Sequence, residues 1–264
     1  MTRGLEPPPA LPRRDNWPRR FDYHPLTVPH HHRLLGAVAI IGLLALPLAA
    51  ERAPGVSPII ERVVARNDPP AHQYRALRHL EARSAKLGAA AWMEAWTEVD
   101  PAAGFQYQIV DEGGSGYIRS HVLKPWLESE KKMWDAGDPE RASLSFENYT
   151  FDDRGLTPDG LACLGVKSRR KDLLLVDGSI YVNASDGDLV RIEGRLSKTP
   201  SFWTRRVEVV RHYERINGVR LPVAIESVAQ VLIAGRSTFS MTYEYETVNG
   251  LRVGDPKAHP AGGR

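Results

Sequence analysis

Two pairs of residues in this sequence have side chains and a spacing that occur in catalytic sites. Neither pair completes a catalytic motif. Ser129 and Lys132 match the S-x-x-K spacing that places an amine near a nucleophilic hydroxyl in some hydrolases. They lie in a charged helical run and lack the motifs that accompany this spacing. Asp152 and Asp153 are adjacent, so an extended chain points them to opposite sides and they make a poor acid/base pair. We interpret them as turn residues and expect that the protein is not an enzyme.

The histidines and the single cysteine do not form a recognisable metal site. No pair of histidines has the H-E-x-x-H spacing, and Cys163 alone cannot build a thiolate site. His212 and Glu214 share a face of a predicted strand, but no third ligand is evident. Gly113–Gly116 lacks the strand-to-helix fingerprint of a phosphate-binding loop and is interpreted as a turn. We therefore expect no metal and no cofactor.

A ligand-binding hypothesis rests instead on apolar residues that repeat with the periods of strands and of a helix. At strand spacing these residues are Trp92, Trp96, Phe105, Tyr107, Met241, Tyr243 and Tyr245. At helical spacing they are Tyr117, Ile118, Val122 and Trp126. We expect the first set to line a hydrophobic cavity for an acyl chain and the second to form its movable lid, since apolar burial contributes about 25 cal/mol per Å². The alternative is that both sets simply fill a core.

The apolar segment Leu34–Ala50 bears on where the rest of the chain works. It has no charged residue, follows Arg33 and ends at two alanines before Glu51, which is the pattern of a secretory signal. A membrane span needs about 20 apolar residues, although roughly 17 can suffice. The segment is therefore either a cleaved signal-peptide h-region or a retained N-terminal anchor, and both alternatives export residues 51–264. Residues 1–33, rich in Pro and Arg, are expected to be disordered.

Charge argues against a nucleic-acid partner for the exported part. The chain has 35 basic and 32 acidic residues, of which the first 50 positions hold six and three. The remaining 29 basic and 29 acidic residues balance, whereas a nucleic-acid surface needs clustered excess Lys and Arg. With one cysteine no intramolecular disulfide can form, so a single domain over residues 51–250 must be stable through packing alone. Residues 251–264 are expected to be a flexible tail.

Helical periodicity occurs in two places. A helix is predicted over Ser57–Asp68, with Ser57 as its N-cap. A second is predicted over Tyr117–Trp134, kinked or divided at Pro125. The pattern over Tyr74–Leu87 permits either a helix or a strand.

Elsewhere the period is two, which predicts strands. They begin with Ala91–Val99 and Phe105–Val110, and nearly everything after residue 142 is strand and turn. A tight turn is predicted at Asp177-Gly178 and another at Asn217-Gly218, where Asn-Gly tolerates the positive φ angles of a type I′ turn. The result is a mainly β (α+β) fold of roughly eight to eleven antiparallel strands. Helices covering the inner face of a curved sheet would bury both apolar stripes.

Five stretches carry a resemblance to a known family: Ile59–Ala65, Tyr74–Ala82, Trp96–Pro101, Gly116–Glu128 and Arg211–Glu226. The arrangement resembles the LolA-like superfamily of outer-membrane lipoprotein carrier and sorting proteins and the related periplasmic lipid-binding and sensor domains. This resemblance implies an incomplete antiparallel β-barrel whose helices cover an apolar concave face. It also favours a strand for Tyr74–Leu87.

The same resemblance implies a function. It points to a non-enzymatic periplasmic protein that holds a lipid or lipoprotein acyl chain, with lipoprotein sorting as one use. The long leader departs from a soluble carrier, and no arginine stands out for a carrier's gating role. A membrane-tethered envelope sensor or interaction module with a membrane-protein partner is therefore the alternative.

Overall fold

The computed structural model describes residues 56–254 except 67, 69–70, 136–138, 201–203 and 233. The predicted leader, the segment Leu34–Ala50 and most of the predicted tail lie outside the described residues. Within the described ranges no helix has the length and apolar character needed to cross a membrane.

The strands form one antiparallel sheet with two free edges. The strands are β1 (Tyr74–Ser84), β2 (Ala89–Asp100), β3 (Gly104–Gly114), β4 (Tyr149–Leu156), β5 (Leu161–Ser168), β6 (Val176–Asn183), β7 (Leu189–Leu196), β8 (Thr204–Ile216), β9 (Val219–Val231), β10 (Gly235–Val248) and the short β11 (Leu251–Arg252). Their order is β3-β2-β1-β10-β9-β8-β7-β6-β5-β4, with β11 paired to β10. Among the described residues β3 and β4 do not pair, so the sheet is an incomplete barrel and the predicted fold class is confirmed.

Helices lie on the inner face of this sheet. α1 (Pro58–Val64) contacts β4. Residues 116–135, which we call the covering helix, consist of α2 (Gly116–Ile118), a π-helical segment (Arg119–Leu123) and α3 (Lys124–Asp135). The covering helix packs on β1, β2 and β3.

The strands alternate between a buried inner face and a more exposed outer face. One row of directly paired inner-face residues crosses ten strands, and we call it the central row. From β4 to β3 it is Asp153, Leu164, Ile180, Ile192, Arg211, Ile225, Met241, Leu80, Met93 and Glu112. Its apolar members are buried in the main core, whereas its two ends and its middle carry charged side chains.

Two sequence predictions about local structure are confirmed. Tyr74–Leu87, which the periodicity left open, contains strand β1 and not a helix. Asn217 and Gly218 connect β8 to β9 with φ angles of 49° and 80°, as a type I′ turn requires.

The tight turn predicted at Asp177-Gly178 is wrong, because both residues lie inside β6. Gly178 pairs with Gly194 of β7. A Cβ at Gly178 would lie 2.1 Å from the Glu193 carbonyl oxygen. The glycine therefore permits a close approach of two strands, a role that composition does not distinguish from a turn.

Two further predictions need correction. α1 ends at Val64 and not at Asp68, and Ser57 forms no side-chain cap; its hydroxyl donates to Asp153. Asp152 and Asp153 lie in edge strand β4 and not in a turn. The predicted change of the second helix at Pro125 has a counterpart, because the π-helical segment ends at Leu123 and α3 begins at Lys124, whose N–H donates to the Arg119 carbonyl.

Candidate functional site

The inner face of the sheet carries one fully buried arginine. Arg78 lies in β1 in phase with Ala76 and Leu80, which also point into the core. Its side chain has no solvent exposure. Because a buried charge is costly unless it is paired and hydrogen-bonded, the partners of Arg78 define the centre of the candidate site.

Arg78 joins the sheet to the covering helix through Glu130. Its Nη1 donates to Glu130 Oε2 at 2.5 Å, and its Nη2 donates to Oε1 at 2.9 Å. This two-pronged contact matches the fork of a guanidinium to a carboxylate. Nη2 also donates to the Tyr74 hydroxyl at 2.8 Å. The Arg78 Nε has no hydrogen-bond partner among the described residues.

Aromatic rings enclose this ion pair. The Arg78 guanidinium carbon lies 4.6 Å from the centroid of the Tyr243 ring and 5.3 Å from that of Phe105. Burial alone would lower the pKa of Arg78, but attraction to Glu130 outweighs it and keeps that pKa well above the ordinary value. Burial raises the pKa of Tyr74 and of Tyr243. The site therefore holds a charged guanidinium beside neutral phenols.

Apolar side chains of the covering helix fill the inner face next to the ion pair. Leu123 and Leu127 are fully buried. The Trp126 ring stacks on Phe239 of β10 at a centroid distance of 4.5 Å. Lys131 adds a polar link, since its Nζ donates to the Phe105 carbonyl at 3.0 Å. The helix thus covers the inner face of the sheet beside the ion pair.

Seven of the eleven residues predicted to bind a ligand come together on this inner face or against it. Phe105, Ile118 and Met241 are buried, and the other four pack partly buried against the two cores. Those four are Tyr107, Trp126, Tyr243 and Tyr245.

The other four predicted residues lie elsewhere. Trp92 and Trp96 are on the outer face of β2, where Trp92 stacks on His79 at 6.2 Å and the Arg75 guanidinium lies 3.9 Å from the Trp96 ring centroid. The inner face of β2 is built from Ala91, Met93 and Ala95. A period of two shows which side chains share a face but not which face is concave. Tyr117 and Val122 project to solvent from the covering helix, 62% and 40% exposed.

Open space is found at the two free edges of the sheet. Beside β4, a groove of about 290 Å³ is lined by Val56, Ser57, Ile60, Phe146, Phe151, Asp152 and Asp153. Beside β3, a groove of about 390 Å³ is lined by Ile109, Val110, Asp111, Glu112 and Lys124. Both grooves border the helices that cover the sheet.

The residues considered for catalysis and metal binding do not converge. Asp152 pairs with Arg154, while Asp153 accepts from the Ser57 hydroxyl. Burial lowers the pKa of His212, which lies across from Arg191 on the outer face. In the part of the chain that the structure describes, no three His, Cys, Asp or Glu side chains are placed to hold a metal ion.

Sequence reasoning missed three charged residues of the inner face: Arg78, Glu130 and Arg211. A signal existed for two of them. Arg78 is in phase with Ala76 and Leu80, and Arg211 is in phase with the apolar residues that precede it in β8. A charged residue inside an apolar stripe of period two marks a buried or functional position. Glu130 had no comparable signal, because its partner lies 52 residues away.

No family model matches the sequence, and no curated protein matches it. A LolA superfamily protein from Nitrosomonas europaea is similar in structure, with a TM-score of 0.33 and 10% identity over 70% of this chain and 90% of that one.

Two further solved structures are similar at the same level. A DUF1329 family protein from Desulfovibrio piger has a TM-score of 0.34 and 9% identity, over 75% of this chain and 90% of that one. A putative outer membrane lipoprotein-sorting protein domain from Vibrio parahaemolyticus has a TM-score of 0.31 and 9% identity, over 72% and 88%.

Proposed function

We propose that residues 51–250 form a non-enzymatic, exported binding domain that holds a lipid or lipoprotein acyl chain on the inner face of the half-barrel. The observation that supports this proposal is the composition and the covering of the inner face. It is apolar over most of the central row, and a single helix covers it beside β1, β2 and β3. Export rests on Leu34–Ala50, and the periplasm is the proposed location.

Binding in this scheme is an exchange of one apolar surface for another. Leu123, Trp126 and Leu127 now cover the inner face, and an acyl chain would insert between them and the sheet. Burying about ten CH₂ groups contributes roughly 8 kcal/mol, which is enough to compete with the packing of one helical face. The covering helix is therefore the proposed lid.

The Arg78–Glu130 pair sets the energy of lid movement. Removing one partner while the other stays buried costs about 3–5 kcal/mol. When the whole helix moves, Glu130 leaves with it and water reaches Arg78, so both charges are hydrated. A partly opened lid, with Arg78 still buried and Glu130 withdrawn, is therefore higher in free energy than a fully opened one. The lid consequently has two stable positions, closed and open.

Native mass spectrometry with lipid extraction tests the proposal, on protein expressed from the full coding sequence and recovered from the cell envelope. A bound acyl species, or uptake of one from vesicles, is the expected result. A protein that carries no lipid and takes up none would overturn the proposal. The same spectrum reports whether the chain begins at Met1 or near Glu51.

A second candidate function is a membrane-tethered sensor or interaction module. The observation that favours it is the outward face of the covering helix, which exposes Tyr117, Val122, Met133 and Trp134. An intact leader together with an empty inner face would support this candidate. Cleavage after Ala50 would count against it, since no tether would remain.

A further inference from the structure

The middle of the central row is charged. Arg211 pairs with Ile192 on one side and with Ile225 on the other, and both isoleucines are buried in the main core. In a directly paired row all side chains leave the sheet on the same face. The Arg211 side chain therefore starts from the apolar inner face. Its strand, β8, has fewer contacts with the covering helix than β1, β2 and β3 have.

Unlike Arg78, Arg211 has no acidic partner among the described residues. No ion pair or hydrogen bond joins its guanidinium to another residue in the described part of the chain, and its Nε is buried without a partner. The residue as a whole is partly exposed, so a ligand can reach it. A half-buried, unpaired guanidinium on an apolar surface costs stability, which an anionic group placed beside it would offset.

Three tyrosines lie on the same side of the sheet: Tyr149 is buried in the main core, and Tyr213 and Tyr243 pack against it. Burial raises the pKa of Tyr149 and of Tyr243, and the positive charge of Arg211 partly opposes that rise in both. Tyr213 lies within electrostatic reach of Tyr149. The Tyr149 hydroxyl already accepts from Val176 N–H at 3.2 Å, whereas the hydroxyls of Tyr213 and Tyr243 form no hydrogen bond with the described residues. Two free O–H donors therefore accompany the guanidinium.

We propose that Arg211, assisted by Tyr213 and Tyr243, binds the anionic head group of the amphiphile whose acyl chain lies along the central row. This inference rests on the proposed function and narrows it. The head group is a carboxylate or a phosphate, which accept two parallel hydrogen bonds from a guanidinium. The apolar row towards Met241 and Leu80 would then hold the chain under the covering helix. An amphiphile with a neutral head group would leave Arg211 unpaired.

Ligands with one chain length and different head groups test this inference. Palmitate, palmitoyl lysophosphatidate and hexadecanol are compared by displacement of the neutral probe N-phenylnaphthylamine, using protein expressed from the full coding sequence. We expect at least one anionic ligand to bind about tenfold or more tightly than hexadecanol. Palmitate and lysophosphatidate distinguish a carboxylate from a phosphate.

Variants of Arg211 test whether this residue causes the preference for an anionic head group. Arg211→Gln should remove the preference for the anionic ligand and leave hexadecanol binding unchanged, and Arg211→Lys should keep part of it. The matched control is Arg195→Gln, which removes the same charge from an exposed position of β7 and should bind like wild type. If wild type binds hexadecanol as tightly as palmitate and lysophosphatidate, or if Arg211→Gln keeps the preference, the inference is wrong and the proposed function stands. If wild type binds none of the three, both are wrong.

Discussion

Arg78 and Glu130 meet across the interface between sheet and covering helix, with two contacts of 2.5 and 2.9 Å. The exposure of the two side chains is unequal, since Arg78 is fully buried and Glu130 is 18% exposed. The arginine consequently depends on the glutamate more than the glutamate depends on the arginine. Loss of Glu130 leaves a charge in an aromatic enclosure, and this asymmetry leads to the first prediction.

Glu130→Gln should weaken the attachment of the covering helix by about 3 kcal/mol, because the buried Arg78 charge loses its counter-charge. Hydrogen exchange of amides 116–135 measures this, with the β8–β9 amides as the internal reference. Glu128→Gln, an exposed position on the same helix, is the matched control. The double variant Arg78→Met/Glu130→Leu should recover most of the loss, since no buried charge remains. Equal exchange in Glu130→Gln and Glu128→Gln would contradict the prediction.

The carboxylate of Asp177 should make the free energy of unfolding depend on pH in the acidic range. Burial alone would raise its pKa, but hydrogen bonds from Lys167 and Ser168 lower it to about 2. A folded-state pKa below the unfolded one gives stability that is present above about pH 4 and is lost as the pH falls towards 2. We expect Asp177→Asn to reduce the free energy of unfolding by about 2 kcal/mol at pH 6.

Urea unfolding at pH 6 and at pH 2 tests whether the contribution of Asp177 to stability is lost at low pH. The difference between wild type and Asp177→Asn should shrink at the lower pH. Asp152→Asn is the control, because its contact with Arg154 is largely exposed and solvent screens it. A difference that stays constant with pH would show that the Asp177 effect is not electrostatic.

Gly178→Ala should destabilise the protein more than an alanine at an ordinary turn glycine. The new Cβ would lie 2.1 Å from the Glu193 carbonyl oxygen and 2.6 Å from the Gly194 Cα, so β6 and β7 must separate. Gly160→Ala is the matched control, since its φ is +84° and no atom lies within 4 Å of its Cβ. We expect Gly178→Ala to cost at least about 2 kcal/mol more than Gly160→Ala in chemical denaturation. Similar costs would mean that the strands adapt freely.

An acyl chain on the inner face should quench Trp126 and not Trp96. Trp126 stacks on Phe239 inside the half-barrel, whereas Trp96 lies beneath Arg75 on the outer face. With a stearic acid brominated at mid-chain, Trp126→Phe should remove most of the quenching of tryptophan fluorescence, and Trp96→Phe should leave it intact. The reverse result would place the ligand on the outer face and overturn the proposed site.

The sequence predicts the strands better than it predicts the faces. The turn at Asn217-Gly218 was recognisable because its backbone requirement is local. The face of Trp92 was not, because alternation is symmetric and only pairing with β1 and β3 decides which side is covered. Asp177-Gly178 has the composition of a turn, yet Gly178 serves a contact with a strand 16 positions further along the chain. Features decided by long-range pairing, including Arg78 with Glu130, need the tertiary structure.

The covering helix connects the two free edges of the sheet, since the chain enters it from β3 and continues from it towards β4. A movement of the helix breaks no backbone hydrogen bond between strands, because none of the strand ladders includes it. A flatter sheet, however, draws β3 and β4 apart and stretches the segment between them. Sheet curvature and the position of the covering helix are therefore coupled. A ligand that widens the half-barrel would also pull on the covering helix.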